Sequence, residues 1–213
     1  MGSLPRTVGP EILDTLDHAD PGAVRSRLDL RRIDRVLGGT RWVLRSVRAE
    51  PAAADGIIEL GAGDGRLCSE LARHFPDVLG LDFAPRPAGL PPAVAWRSGD
   101  FFQTLPEVDA GVLVGSLILH HFSPAELGAL GRLLRPFRVL IFSEPLRSRW
   151  PLAFSGVVQP LLGSVTRHDM PASIRAGFQP GELAPLLGLD SGEWRISESA
   201  HRRGMLRFQA WRG

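Results

Sequence analysis

The chain of 213 residues has no lysine, no tyrosine and a single cysteine, Cys68. One cysteine excludes an internal disulfide. The opening "MGSLPRTVGPEILD" lacks the charged and apolar regions of a secretory leader, so a cytoplasmic protein is expected. No apolar run is long enough to cross a bilayer, and no integral membrane segment is expected. The missing lysines explain an odd charge balance. The pI is ≈ 9.8, yet the formal net charge is only +2, because every basic side chain is arginine and none titrates near pH 10. Aromatic residues are few, at 7%. The arginines at 25, 27, 31, 32, 35, 41, 45 and 48 therefore lack rings to stack bases. They alternate with Asp29, Asp34 and apolar residues at helical spacing. This is the pattern of a solvated helix face, and no nucleic-acid partner is expected.

What is present suits one buried core: 44% of residues are hydrophobic. Asp20-Pro21 starts a helix with a capping side chain and proline at its first position. Val24, Leu28, Ile33 and Leu37 continue it. Gly38-Gly39 breaks it, and Thr40 is expected to cap a second helix carrying Val43, Leu44 and Val47. Residues 1–50 thus form an N-terminal helical extension, and 51–56 read as a loop. In the main domain, 51–213, strands are expected over 57–60, 78–82, 94–97, 111–119 and 139–142. A helix over 66–75 intervenes, and another is started by the capping box Ser123-Pro124-Ala125-Glu126 and stopped by Pro136. This alternation predicts an open parallel α/β sheet, with 111–119 as a central strand.

The first strand runs into a glycine turn, "IIELGAGDGRL", before the first helix of the domain. Glycine at 61, 63 and 65 lets backbone N–H groups approach a ligand, and a Cβ there would obstruct it or force a strained φ. No Gly-Lys-Ser/Thr follows, which excludes a phosphate loop. The spacing also differs from the dinucleotide fingerprint. Glu59 precedes the turn. Asp82 ends the next strand, where doubly wound sheets hold a ribose diol.

Several segments, in order, resemble the class I S-adenosylmethionine-dependent methyltransferases of the bacterial small-molecule type. "ELGAGDG" is similar to their first motif and "VLGLDF" to their second. "RSGDFF", "VLVGSLILHHFSP" and "RVLIFSEP" resemble the segments at the third, fourth and fifth strands. The similarity covers 52–145. It implies a Rossmann-like, open, mostly parallel seven-stranded sheet with an antiparallel C-terminal strand, and 194–199 and 205–211 supply a final hairpin. It implies S-adenosyl-L-methionine as cofactor, with Glu59, Gly61, Ala62, Gly63 and Gly65 at the turn. Asp82 and Phe83 would lie at the ribose, Asp100 and Phe101 at the adenine, and Ser116 and Leu117 at the methionine part. Residues 146–178 read as a helical lid insertion. Its apolar stretch 151–162 is followed by a turn through "TRHDMPASIRAGF" and a short helix near Glu182. Lid and N-terminal helices would wall a pocket for a small, partly apolar acceptor, a hydroxylated aromatic or polyketide-like metabolite. A membrane-contacting helix is the alternative for 151–162, which lacks a basic face.

His120 and His121 follow the fourth strand at its C-terminal end, where ligands bind in open α/β sheets. His121, then His120, are candidate general bases; the alternative is that they orient the loop. His168 is a third candidate, against a simple loop hydrogen bond. Two histidines alone are too few to argue a metal site, and none is expected. Arg167 and Arg175 are candidates to hold an anionic substrate or to pair with Asp169 or Glu182. Cys68 reads as a small core residue. Rival functions are an NAD-dependent oxidoreductase, disfavoured by the glycine spacing and the His-His pair, and a non-catalytic S-adenosylmethionine-binding protein. A nucleic-acid or protein methyltransferase is disfavoured by the lack of an Asn/Asp-Pro-Pro-aromatic tetrad. The sequence fixes no oligomeric state.

Overall fold

The computed structural model describes residues 4–17 and 19–213. The chain runs through α1 (Ile12–Thr15), α2 (Pro21–Leu37), α3 (Gly39–Arg48), β1 (Ile57–Leu60), α4 (Arg66–Leu71), β2 (Val78–Asp82), β3 (Val94–Ser98) and α5 (Phe101–Thr104). It continues with β4 (Val112–Ser116), α6 (Pro124–Leu133), β5 (Val139–Pro145), α7 (Arg149–Val158), α8 (Ser164–Ala176), α9 (Leu183–Leu186), β6 (Trp194–His201) and β7 (Met205–Arg212). The seven strands form one sheet in the order β3-β2-β1-β4-β5-β7-β6. β1 to β5 are parallel, and β7 is antiparallel to both of its neighbours. This is the sheet the sequence led us to expect.

Strand periodicity divides the core between the two faces of the sheet. Ile58, Leu60, Leu113, Leu140 and Phe142 pack on one side with Leu127 and Leu130 of α6 and Leu183 of α9. Ile57, Val112, Val114, Val139 and Ile141 pack on the other with Val43 and Val47 of α3 and Leu67 and Leu71 of α4. Burial on both faces is why these strands are almost continuously apolar. Asp20 caps α2 by accepting the N–H groups of Gly22 and Ala23 at 2.7 and 3.3 Å. Ser123 and Glu126 form the expected capping box at α6.

Five elements depart from expectation. The fourth strand stops at Ser116, because Leu117 adopts a left-handed conformation (φ 59°), and a 3-10 turn, Leu119–His121, follows. Helix α4 ends at Leu71, and 51–55 form a 3-10 helix. Thr40 is not a cap: α3 starts at Gly39, and the Asp34 carboxylate accepts the Thr40 N–H at 2.9 Å. The stretch "TRHDMPASIRA" is not a turn but lies in α8, which carries Pro171 inside it. Proline deletes one donor, and burial of Val165, Thr166, Asp169 and Ile174 outweighs that loss.

The segment before α2 crosses α8 as a pinned strap. The Arg147 guanidinium donates to Leu4 O at 2.7 Å, and Arg6 donates to Ala176 O and Phe122 O at 2.7 and 2.8 Å. The N–H groups of Ile12 and Leu13 donate to the Asp169 carboxylate at 2.9 and 3.0 Å. Among the described residues, no helix is long and apolar enough to cross a membrane.

Candidate active site

The strand order reverses at β1, which pairs with β2 on one side and β4 on the other. In such sheets ligands bind beyond the carboxyl ends of the strands at this point, and the glycine turn lies there. The Gly61 and Ala62 N–H groups donate to Leu81 O at 2.9 and 3.0 Å, tying the turn to β2. Gly61, Gly63 and Gly65 have φ of 68°, 55° and 70°, all left-handed. They differ in what a side chain would meet. A Cβ on Gly61 would lie 2.6 Å from the Ile118 side chain, and one on Gly65 would run into Leu90. A Cβ on Gly63 meets nothing within 4 Å. Two of the glycines are thus required by the protein's own packing, and the third opens outward.

Asp82 stands beside that opening. Its carboxylate accepts the Gly63 N–H at 2.7 Å and the Ala84 N–H at 2.9 Å, which leaves about half of its acceptor capacity free. Phe83 is 66% exposed, and its ring lies 5.0 Å from that of Phe101. Phe101 itself is buried in the core, so Phe83 presents the accessible ring. Asp100 caps α5 by accepting the Phe102 N–H at 2.9 Å. Ala62 is buried. Ser116 lies at the end of β4 under the α2–α3 junction, where a Cβ on Gly39 would be 3.7 Å from its hydroxyl.

Glu59 occupies a different place from the one expected for a cofactor contact. It is buried beneath the turn, where its carboxyl accepts the Cys68 N–H at 2.9 Å and the Cys68 S–H at 2.8 Å. Burial pushes its pKa up to about 8, against the pull of the Cys68 hydrogen bonds. Burial likewise pushes the Cys68 thiol up, so Cys68 is an inert core residue. Because the folded-state pKa of Glu59 exceeds its ordinary value of 4.5, folding takes up a proton between these limits. That contribution is complete below the unfolded pKa and is lost as pH rises through about 8. Urea unfolding between about pH 5 and 6.5 should therefore show stability falling with pH, by at most about 1.4 kcal/mol per unit. Glu59→Gln should flatten that slope; an unchanged slope would show that Glu59 is ionised in the folded protein.

A cavity of ≈ 290 Å³ lies at the carboxyl ends of β4 and β5. Its apolar walls include Leu30, Ile33 and Leu37 of α2, Phe154 of α7, Met170 of α8 and Met205 of β7. Leu117, at the end of β4, also lines it. Helix α2 borders the cavity and also reaches the glycine turn. On the turn side, Arg31 pairs with Asp64 at 2.7 Å and Asp34 with Arg66 at 3.5 Å.

The polar part of the lining is built around the two histidines. His120 is buried, with Nδ1 2.9 Å from Glu144 Oε2 and Nε2 3.4 Å from Glu11 Oε1. Burial pulls its pKa down, but the bonds and charges of Glu11 and Glu144 outweigh this and raise it to about 9. His121 is half-buried, with Nδ1 3.2 Å from Asp14 Oδ2, and the two rings lie 4.2 Å apart. The structure brings both histidines to the cavity but not His168. That residue is 57% exposed at its side chain, bonds Asp169 at 2.9 Å and is absent from the lining. Arg167 and Arg175 donate to the backbone carbonyls of Leu162 and Pro171, and Glu182 pairs instead with the buried Arg147.

Three further residues complete the site. Glu144 closes β5 and accepts the N–H groups of Ile118, Leu119 and His120 at 3.0, 2.9 and 3.3 Å, besides holding the His120 ring. Glu11 and Asp14 arrive on the N-terminal strap, and Ser173 donates to Glu11 at 2.5 Å. The "SEP" at the end of β5 was the available hint for Glu144; the strap has no periodicity to announce the other two.

No family model matches the sequence. A curated relative, the desmethylxanthohumol 6'-O-methyltransferase of Humulus lupulus, is 35% identical over 71 residues, which is 32% of this chain. The match spans only 20% of that relative's length. Among solved structures, magnesium protoporphyrin IX methyltransferase from Synechocystis PCC 6803 with bound SAH aligns with a TM-score of 0.62 and 18% identity, covering 92% of this chain and 96% of that one. An O-methyltransferase family protein from Burkholderia thailandensis aligns with a TM-score of 0.59 and 15% identity, covering 92% of this chain and 63% of that one. At identities this low the likeness is one of backbone path, and the fold of this chain is that of the class I S-adenosylmethionine-dependent methyltransferases.

Proposed function

We propose that the protein transfers a methyl group from S-adenosyl-L-methionine to a small, partly apolar acceptor, a hydroxylated aromatic or polyketide-like molecule. The observation that carries this reading is the apolar cavity with a polar cluster at His120 and His121, at the carboxyl end of β4, the strand next to the one that runs into the glycine turn. The crevice suits the cofactor. Gly63 leaves its approach open, Asp82 retains acceptor capacity for a ribose diol, and Phe83 offers a ring at the rim. When bound, the cofactor supplies an electrophilic sulfonium methyl.

This chain's own part is to hold the acceptor in line and to exclude water, the two effects that positioning and a dry pocket supply. The cavity lies near the lower end of the roughly 300–1,000 Å³ usual for ligand sites, which fits one or two rings. The leucines and isoleucine of α2, with Phe154 and Met170, grip an apolar body. Glu11, His120 and His121 receive its hydroxyl. The relative from Humulus lupulus is named for an O-methylation, which supports oxygen as the acceptor atom.

Calorimetry with S-adenosylhomocysteine and NAD, and labelled methyl transfer to a panel of hydroxylated aromatics, test the reading. Tight NAD binding without response to S-adenosylhomocysteine would overturn it. Asp82→Ala should weaken cofactor binding by about 1.5–3 kcal/mol, the scale for hydrogen bonds to a charged group. An unchanged affinity in the folded variant would remove Asp82 from the site.

A further inference from the structure

Among the described residues, one nitrogen each from His120 and His121 and one carboxylate oxygen of Glu11 lie within 4.8 Å of one another. Two features make this more than a chance cluster of polar side chains.

The first is how the rings are held. His120 Nδ1 is fixed by Glu144 at 2.9 Å and His121 Nδ1 by Asp14 at 3.2 Å. Each imidazole therefore has one nitrogen anchored on a carboxylate, which leaves its Nε2 for another partner. The His120 Nε2 faces Glu11 Oε1 at 3.4 Å. A carboxylate behind each histidine is the arrangement that sets the tautomer and raises the basicity of metal-ligating imidazole. Glu11 is itself oriented by the Ser173 hydroxyl.

The second is burial. Glu11 and His120 are both buried, and with His121 they line the apolar cavity, so a ligand held among them is shielded from water.

We propose that Glu11, His120 and His121 bind a divalent first-row transition ion of the zinc type, with open coordination positions facing the cavity. Two imidazoles and one carboxylate favour such an ion over magnesium or calcium, which take all-oxygen sets. The ion would sit at His120 Nε2 and Glu11 Oε1, which face each other at 3.4 Å. The same cavity residues line the space beyond it, so its open positions would take the acceptor's hydroxyl oxygen. That last step rests on the proposed methyl transfer; the ion site itself does not.

The experiment uses the full-length protein stripped with a chelator, without cofactor or acceptor. Titration with Co(II) and Zn(II) should give one bound equivalent per chain, visible d–d bands for the cobalt form and a raised melting temperature. Glu11→Gln and His121→Ala should each weaken binding by at least about tenfold. Asp14→Asn should weaken it by about 10–100-fold, the range for loss of a carboxylate behind a metal-bound histidine. His168→Ala, outside the cavity, should leave it unchanged. Absence of saturable binding to the wild-type protein would overturn the proposal. So would binding that survives both Glu11→Gln and His121→Ala, since the ion would then sit elsewhere. Either result leaves methyl transfer, assayed separately, untouched.

Discussion

Valine at position 63 is expected to abolish binding of S-adenosylmethionine and S-adenosylhomocysteine while the chain remains folded. The three glycines of the turn share a left-handed backbone, but only Gly63 has open space where its side chain would be. A β-branched residue there carries a conformational cost of about 1–2 kcal/mol. In a domain of this size that lowers the melting temperature by roughly 2–8 °C. Its methyl groups stand where a ligand must approach the backbone N–H groups and Asp82, and affinity should fall by at least about 100-fold, ~2.7 kcal/mol. Gly61→Ala and Gly65→Ala should behave differently. Their Cβ atoms collide with Ile118 and Leu90, so these variants should lose stability first and binding as a consequence. Calorimetry and thermal melts on the three variants separate the cases. A Gly63→Val protein that binds S-adenosylhomocysteine as the parent does would show that the whole turn serves packing alone.

The contrast among the three glycines also marks how far the sequence could be read. "IIELGAGDGRL" announced the turn, and alternation of apolar runs with capped helices announced the sheet, because both are encoded by residues near one another in the chain. The role of Gly61 and Gly65 depends on Ile118 and Leu90, which no local pattern links to the turn. The same holds for Glu59. Its position before the glycines suggested a ligand contact, whereas its carboxyl faces Cys68 on the next helix. The histidine pair was legible as a candidate at the end of a strand. Its partners were not: Glu11 and Asp14 lie on a strap with no hydrophobic period, held by backbone bonds to Asp169 and by Arg6. The strand expected over 111–119 ends early for a related reason. An apolar run cannot reveal that the N–H groups after Leu117 leave the ladder for a side chain on β5.

That side chain, Glu144, is where the largest loss of stability among the polar site residues is expected. It is fully buried and accepts from three successive backbone N–H groups and from the His120 ring. Glu144→Ala leaves all four groups without a partner in a place water does not reach. Breaking a buried charged pair on one side costs about 3–5 kcal/mol, equivalent to a fall in melting temperature of roughly 6–20 °C. The loop from Leu117 to His121 bounds the cavity, so acceptor turnover should fall with stability. Glu144→Gln keeps one oxygen acceptor and should recover part of the stability. Its amide N–H group, however, would face donors, so the recovery should be incomplete. His121→Ala provides the comparison. His121 is half-exposed at the cavity, and its side-chain partner among the described residues is Asp14, so its loss should leave the melting temperature within a few degrees of the parent. Thermal melts of the three variants decide the point. If Glu144→Ala melts with the parent, the loop is held by its own 3-10 turn, and Glu144 is not the residue that sets the two histidines against the cavity.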